Sequence, residues 1–104
     1  MDRTIKISDF SKTPGSRYKD EGDFSGQEFR EEVLEPIFSE IINSNDILIV
    51  NLDGTIGYGT SWLEEVFGGL ARKYGNKLVL NKIKLITNEE PYLEDDIKGY
   101  IENA

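Results

Sequence analysis

The feature that most restricts the fold is the run Ile47-Leu48-Ile49-Val50-Asn51-Leu52, nearly unbroken in apolar residues and bounded by Asn45-Asp46 and Asp53-Gly54. A short run rich in branched aliphatic residues and closed at both ends by turn formers is a β-strand. Its lack of alternation predicts a central strand covered on both faces. Such a strand needs neighbours in a sheet and helices to cover it, which sets the class as α/β.

The rest of the chain supplies those elements. Residues 3–7 alternate, with Ile5 and Ile7 on one side and Lys6 on the other, and predict a short strand. Ser8 to Ser25 is polar, carries Pro14-Gly15 and Gly22, and reads as a loop or hairpin with one irregular strand around Arg17-Tyr18. Ser25-Gly26-Gln27-Glu28 matches a capping box and starts a helix. Phe29, Val33, Ile37 and Ile41 form its buried stripe, widened by Leu34, Phe38 and Ile42. Pro36 lacks an amide and crowds the carbonyl of Glu32, so a kink or short break is expected there. Ser61 to Tyr74 repeats the helical spacing through Leu63, Val66, Phe67 and Leu70, and Gly75-Asn76 stops it. Gly68 and Gly69 inside that helix each cost about 1 kcal/mol against alanine unless close packing compensates. Leu78 to Ile86 reads as a further strand, and Leu93, Ile97, Tyr100 and Ile101 as a last short helix. The order predicts a mixed sheet of four to five strands, the later ones parallel, with about three helices packed on it. With 104 residues there is material for one core, hence a single domain over residues 1–104.

Composition narrows the chemistry. The chain has no cysteine and no histidine, which removes disulfides, thiolate nucleophiles, Ser-His-Asp or Cys-His catalysis and imidazole metal ligands. Twenty acidic against 12 basic residues give a formal charge of −8, which repels nucleic acid and anionic membrane surfaces. No apolar stretch has signal-peptide or membrane-span length, so the expectation is a soluble, cytoplasmic protein with neither nucleic acid nor membrane as partner.

The turn after the central strand carries the candidate functional residues. Functional loops gather at the carboxyl end of a central strand in open α/β sheets. Here that segment is Asp53-Gly54-Thr55-Ile56-Gly57-Tyr58-Gly59-Thr60-Ser61-Trp62. Ser61-Trp62-Leu63-Glu64 is itself a capping-box pattern, so plain capping is one reading of Ser61. The other is phosphorylation of Ser61 or Thr60, favoured by the helix dipole and opposed by Glu64 and Glu65, so that a dianion would sharply change the local field and expel a partner. Tyr58, Trp62, Glu64 and Glu65 then become candidate partner contacts. Trp62 lies just off the apolar stripe, and two readings stand, an exposed interface anchor or a ring packed beneath the glycine-rich turn. Gly57 and Gly59 could form a cradle for a small anion or nucleotide with the helix amides, although no lysine or arginine occurs between Asp53 and Leu70.

Asn51-Leu52-Asp53-Gly54-Thr55 looks like the Asp-x-Asp-Gly-Thr signature of haloacid-dehalogenase-type phosphotransferases. Asn51 stands where that family has its nucleophilic carboxylate, and an amide cannot form an aspartyl-phosphate. A degenerate phosphotransferase is thus the weakest function, and Asp53-Gly54 reads as a turn. Glu89-Glu90 and Glu94-Asp95-Asp96 lack the spacing of a calcium loop, and the glycine-rich turn lacks a Gly-Lys-Ser/Thr, so neither a metal nor another cofactor is expected.

The segments Phe10 to Arg17, Gly22 to Arg30, Asp53-Gly54 after the apolar strand, and Thr60 to Leu70 together resemble the STAS-like domains of bacterial and phage proteins of unknown function (DUF4325). The most specific pieces are Ser25-Gly26-x-x-Phe29-Arg30 and Ser61-Trp62-Leu63-x-Glu65-x-Phe67-Gly68, and Arg17, Ser25, Gly26, Phe29, Arg30 and Asp53 are motif residues without assigned roles. The resemblance to STAS domains, which include anti-sigma-factor antagonists, implies a small α/β fold. It also implies phosphorylation, by a partner kinase, of a serine at the start of the helix after a central strand. Ser61 matches that position, with Thr60 beside it. The antagonists usually carry Asp-Ser-Ser-Gly at this turn, and this chain departs from that with Tyr58-Gly59-Thr60-Ser61-Trp62. An ATP-binding, histidine-kinase-like protein is the partner that the resemblance suggests. The function expected is a non-enzymatic regulatory and protein-interaction module.

Overall fold

The computed structural model describes all 104 residues. In chain order it contains strand β1 (Arg3–Lys6), helix α1 (Ile7–Phe10), a 3₁₀ turn (Lys19–Glu21), helix α2 (26–41), strand β2 (Leu48–Asn51), helix α3 (60–74), helix α4 (Asn76–Lys82), strand β3 (Ile83–Ile86) and helix α5 (Tyr92–Glu102).

The sheet has three strands in the order β1-β2-β3, all parallel, with Arg3, Leu48 and Ile83 in one row and Ile5, Val50 and Leu85 in another. A mixed sheet of four to five strands does not form, for two local reasons. Around Arg17-Tyr18 the backbone is claimed by other partners: the carbonyls of Ser16 and Arg17 accept the amides of Gly26 and Gln27 at 2.9 Å, satisfying two free donors at the start of α2. The second half of the expected strand from Leu78 to Ile86 is strand, but its first half is helix α4. Gly75, at φ +93°, lets the chain turn sharply after α3 and restart as a helix that buries Val79.

Leu48 and Val50 are fully buried, whereas Ile49 and Asn51, which alternate onto the opposite face, are only half-buried. The central strand is therefore covered on one face, not on both. On the covered face the core joins Leu48, Val50 and Leu52 to Phe29, Leu34, Phe38 and Ile41 of α2, to Trp62, Leu63, Val66, Phe67 and Leu70 of α3, and to Leu93, Ile97 and Ile101 of α5. The last helix was legible from those apolar positions.

Both long helices contain a widened π turn, at Arg30–Leu34 in α2 and at Glu64–Gly68 in α3. In α2 the widening precedes Pro36. That residue cannot donate to the carbonyl of Glu32, and the Glu35 amide reaches back to the Arg30 carbonyl, so the helix continues without a break. One extra residue in the turn also shifts the buried stripe. The fully buried row is Phe29, Leu34, Phe38 and Ile41, while Val33 and Ile37 move to the half-buried flank.

The two helices approach closely where Gly26 meets Trp62. A Cβ at Gly26 would lie 2.8 Å from the Trp62 carbonyl oxygen and 3.3 Å from Glu65 Cβ. Gly26→Ala is expected to destabilise the protein by about 1–3 kcal/mol, despite alanine's higher helix propensity. Gly99→Ala in α5, where a Cβ would meet nothing within 4 Å, is expected to stabilise it by about 0.5–1 kcal/mol. Urea unfolding of the two variants checks the contrast.

Candidate functional site

The turn after β2 is held by bonds from distant segments. The Asn51 side-chain oxygen accepts the Asp53 amide at 2.9 Å, an Asx turn that leaves this side chain a structural role. Asp53 Oδ1 accepts the Glu89 amide at 3.0 Å, and Glu89 Oε1 accepts the Gly54 amide at 2.7 Å, so a reciprocal clamp ties the loops after β2 and β3 together. Gly54 sits at φ +93°, where a side chain would be strained. From the other side, the Ile56 amide donates to the Lys12 carbonyl at 2.8 Å and the Gly59 amide to the Pro14 carbonyl at 2.9 Å.

The glycines serve this lacing. A Cβ at Gly59 would stand 2.8 Å from the Gly15 carbonyl oxygen, so Gly59 permits a close backbone approach, and its amide is already donated. A Cβ at Gly57 would meet nothing within 4 Å. With the Gly54, Ile56 and Gly59 amides all engaged, the turn retains few donors for an anion.

Thr60 and Ser61 are both exposed and open the first turn of α3. The cap is Gly59, whose carbonyl accepts the Leu63 amide at 3.2 Å. The capping box expected at Ser61 does not form, because the helix begins one residue earlier and Glu64 is drawn elsewhere. Neither hydroxyl has a hydrogen-bond partner within the chain. By contrast, Ser25 does cap α2, accepting the Glu28 amide at 3.0 Å, while Glu28 reaches the Phe24 amide at 3.3 Å.

Trp62 is fully buried and cannot act as an exposed anchor. Its ring lies 5.3 Å from Phe29 and 5.9 Å from Tyr58, and its indole N–H donates to the Phe24 carbonyl at 3.2 Å. The small Gly26 opposite lets α2 close onto the Trp62 backbone. Phe24 itself has φ 58°, a strained value for a bulky residue, and its ring is half exposed. Tyr58 is half-buried, and its hydroxyl donates to the Leu52 carbonyl at 2.6 Å. Burial, aided by the nearby carboxylates of Asp53, Glu90 and Glu89, pushes its phenol up to about 12 against a lowering hydrogen bond with Thr55.

Glu64 and Glu65 belong to a ladder of alternating charge. Arg72 pairs with Glu64 at 2.7 Å, Glu64 with Arg17 at 2.8 Å, and Arg17 with Glu65 at 3.4 Å. Glu65 meets Arg30 at 2.8 Å, Arg30 meets Glu35 at 2.5 Å, and Glu35 meets Lys73 at 2.8 Å. Glu65 and Glu35 are buried, so Glu65 is not available to a partner, and Glu64 is partly shielded. Both carboxylates, expected to oppose charge at Ser61, are already paired with cations. Arg30 reaches its partners across Gly69, where a Cβ would fall 2.6 Å from Nε. The ladder thus explains Arg17, Arg30 and Gly69, the cap of α2 explains Ser25, and the helix crossing explains Gly26 and Phe29.

Known families can be set against this arrangement. A family model described as a STAS-like domain of unknown function (DUF4325) matches residues 25–93. The chain belongs to this family. The STAS-like match runs from the cap of α2 through Leu93 at the start of α5 and includes the turn with Thr60 and Ser61, whereas Phe10 to Arg17 lies outside it. No curated protein and no solved structure matches the chain.

Sequence reasoning missed three features of the STAS-like site. Ile56, 84% exposed at the tip of the turn, was signalled only by its being apolar in a polar loop. Arg72 as a partner of Glu64 had no clear sequence signal, since the two are eight residues apart. The Asp53–Glu89 clamp joins residues 36 apart, beyond any local pattern.

Arg30→Met leaves buried Glu35 and Glu65 with fewer compensating charges and is expected to lower stability by about 3 kcal/mol, read by urea unfolding at neutral pH. Acid supplies a second test. The bond from Arg72 holds the Glu64 carboxyl below its ordinary 4.5, burial opposes this, and the bond from Arg17 adds to it. A carboxyl lowered on folding contributes stability fully above its unfolded value and loses it as pH falls through its folded value. Glu31 and Asp46 are lowered in the same way. The urea midpoint should therefore fall as pH drops below about 5, and fall less in Glu64→Gln.

Proposed function

We propose that this STAS-like domain is a non-enzymatic regulatory module that docks a protein partner through the turn from Ile56 to Ser61. In this reading an ATP-binding, histidine-kinase-like protein is that partner, and phosphorylation of Ser61 or Thr60 gates the contact. The observation that carries the reading is the pair of exposed, unpartnered hydroxyls at the start of α3, beside the exposed Ile56, at the carboxyl end of the central strand. In the transfer step the hydroxyl oxygen bonds to the γ-phosphorus of ATP, the bond to the β-phosphate oxygen breaks, ADP leaves, and a base on the kinase takes the proton.

Helical spacing puts Ser61 one turn from Glu64 and Glu65 on the same side of α3. A phosphate there competes with both carboxylates for Arg17, which turns a local modification into a change in how the loop before α2 is held. A small-anion or nucleotide site at this turn has less support, because three of its amides are engaged and no cation lies between Asp53 and Leu70.

Purified protein incubated with an ATP-binding, histidine-kinase-like protein and ATP, then mapped by mass spectrometry, should carry phosphate on Ser61 or Thr60. Phosphate solely at other positions, or none, overturns the gate. Ile56→Asp should weaken binding to the same partner by about tenfold or more while leaving the fold intact. Unchanged affinity would remove the turn from the interface.

A further inference from the structure

The uncovered face of the sheet is a second surface, separate from the turn. Six side chains alternate onto it: Thr4 and Lys6 from β1, Ile49 and Asn51 from β2, and Lys84 and Ile86 from β3. Thr4, Lys6 and Lys84 are exposed, and the two isoleucines and Asn51 are half-buried. Two properties set the face apart. Parallel sheets are ordinarily covered on both sides, and here Ile49 and Ile86 keep an apolar centre with no layer above it. The six also include two lysines and no carboxylate, in a chain whose formal charge is −8.

Size and charge together choose the occupant. Three strands about 4.8 Å apart, each of four residues at about 3.3 Å, present a patch of about 200 Å². That is far below the roughly 800 Å² per partner of a standard stable interface, and a two-fold pairing of this face with itself would gather four lysines with no carboxylate among the twelve side chains. A single helix about 10 Å across fits the patch. We infer that this face receives one amphipathic helix of a partner protein, its apolar stripe on Ile49 and Ile86 and acidic flanks against Lys6 and Lys84. The interaction is weak by area and selective by charge, since opposite rims steer a partner and like rims reject it.

The test uses the full chain, isotope-labelled for amide NMR, and two synthetic helical peptides of about three turns. One has a leucine stripe flanked by glutamates, and the other has the same stripe flanked by lysines. The acidic peptide should give saturable shifts at Thr4, Lys6, Ile49, Asn51, Lys84 and Ile86, and the basic peptide should bind about tenfold more weakly or not at all. The double variant Lys6→Glu with Lys84→Glu, both on exposed side chains, should exchange that preference, with circular dichroism confirming the fold. Equal binding of the two peptides, or shifts confined to residues 56–61, overturns the inference. Sedimentation showing a dimer that the double variant dissolves would also overturn it, by making a second copy the occupant. Because this face and the turn are read separately, the outcome is independent of any phosphate at Ser61.

Discussion

The guanidinium of Arg30 is the constraint around which the two long helices are arranged. It leaves α2, crosses α3 at Gly69 and ends between Glu35 and Glu65, both of them buried. Burial alone works against its charge, but the bonds to Glu65 and Glu35 outweigh that and keep it protonated. Its Nε is buried without a partner, wedged against the glycine, so this group is held by packing rather than by a bond. Any side chain at position 69 would displace it. Each helix is locally widened at this crossing, with π turns starting at Arg30 in one and at Glu64 in the other.

That crossing also separates what was legible in the sequence from what was not. The apolar run around Val50, the Ser25 cap and the stripe of Leu93, Ile97 and Ile101 are local signals, and each element formed where its own residues placed it. The buried stripe of α2 was misread because a uniform helical period puts Val33 and Ile37 in line with Phe29. A wider turn before Pro36 brings Leu34 and Phe38 there instead. Trp62 followed the same logic: periodicity set it off the stripe, and Phe29 on another helix and Tyr58 in the turn pack against its buried ring. Leu78 to Lys82 carried no decisive period, and a helix there was settled by the turn at Gly75.

The candidate site was legible in position and less so in chemistry. A strand ending in Asp53-Gly54 before a helix locates Thr60 and Ser61 correctly, since that depends only on the order of elements. Which amides remain free, and where Glu64 and Glu65 point, depends on Glu89, Lys12, Pro14 and Arg17, all distant in sequence, and on Arg72 two turns along the same helix. Charge at the start of α3 therefore looked one-sided along the chain but is balanced in space.

The segment before α2 connects these parts. Over six residues its carbonyls accept from Ile56, Gly59, Gly26 and Gln27 in turn, and the side chain of Arg17 then reaches Glu64 and Glu65. The glycine-rich turn, the start of α2 and the charge ladder are thus one hydrogen-bonded unit, in which Arg17 ties the loop before α2 to α3. A new negative charge at the start of α3 acts on that link first, because Arg17 is partly exposed and shared between two carboxylates, whereas Arg30 is largely enclosed. The arrangement lets a surface event be felt along a loop without disturbing the helix crossing that holds the domain together.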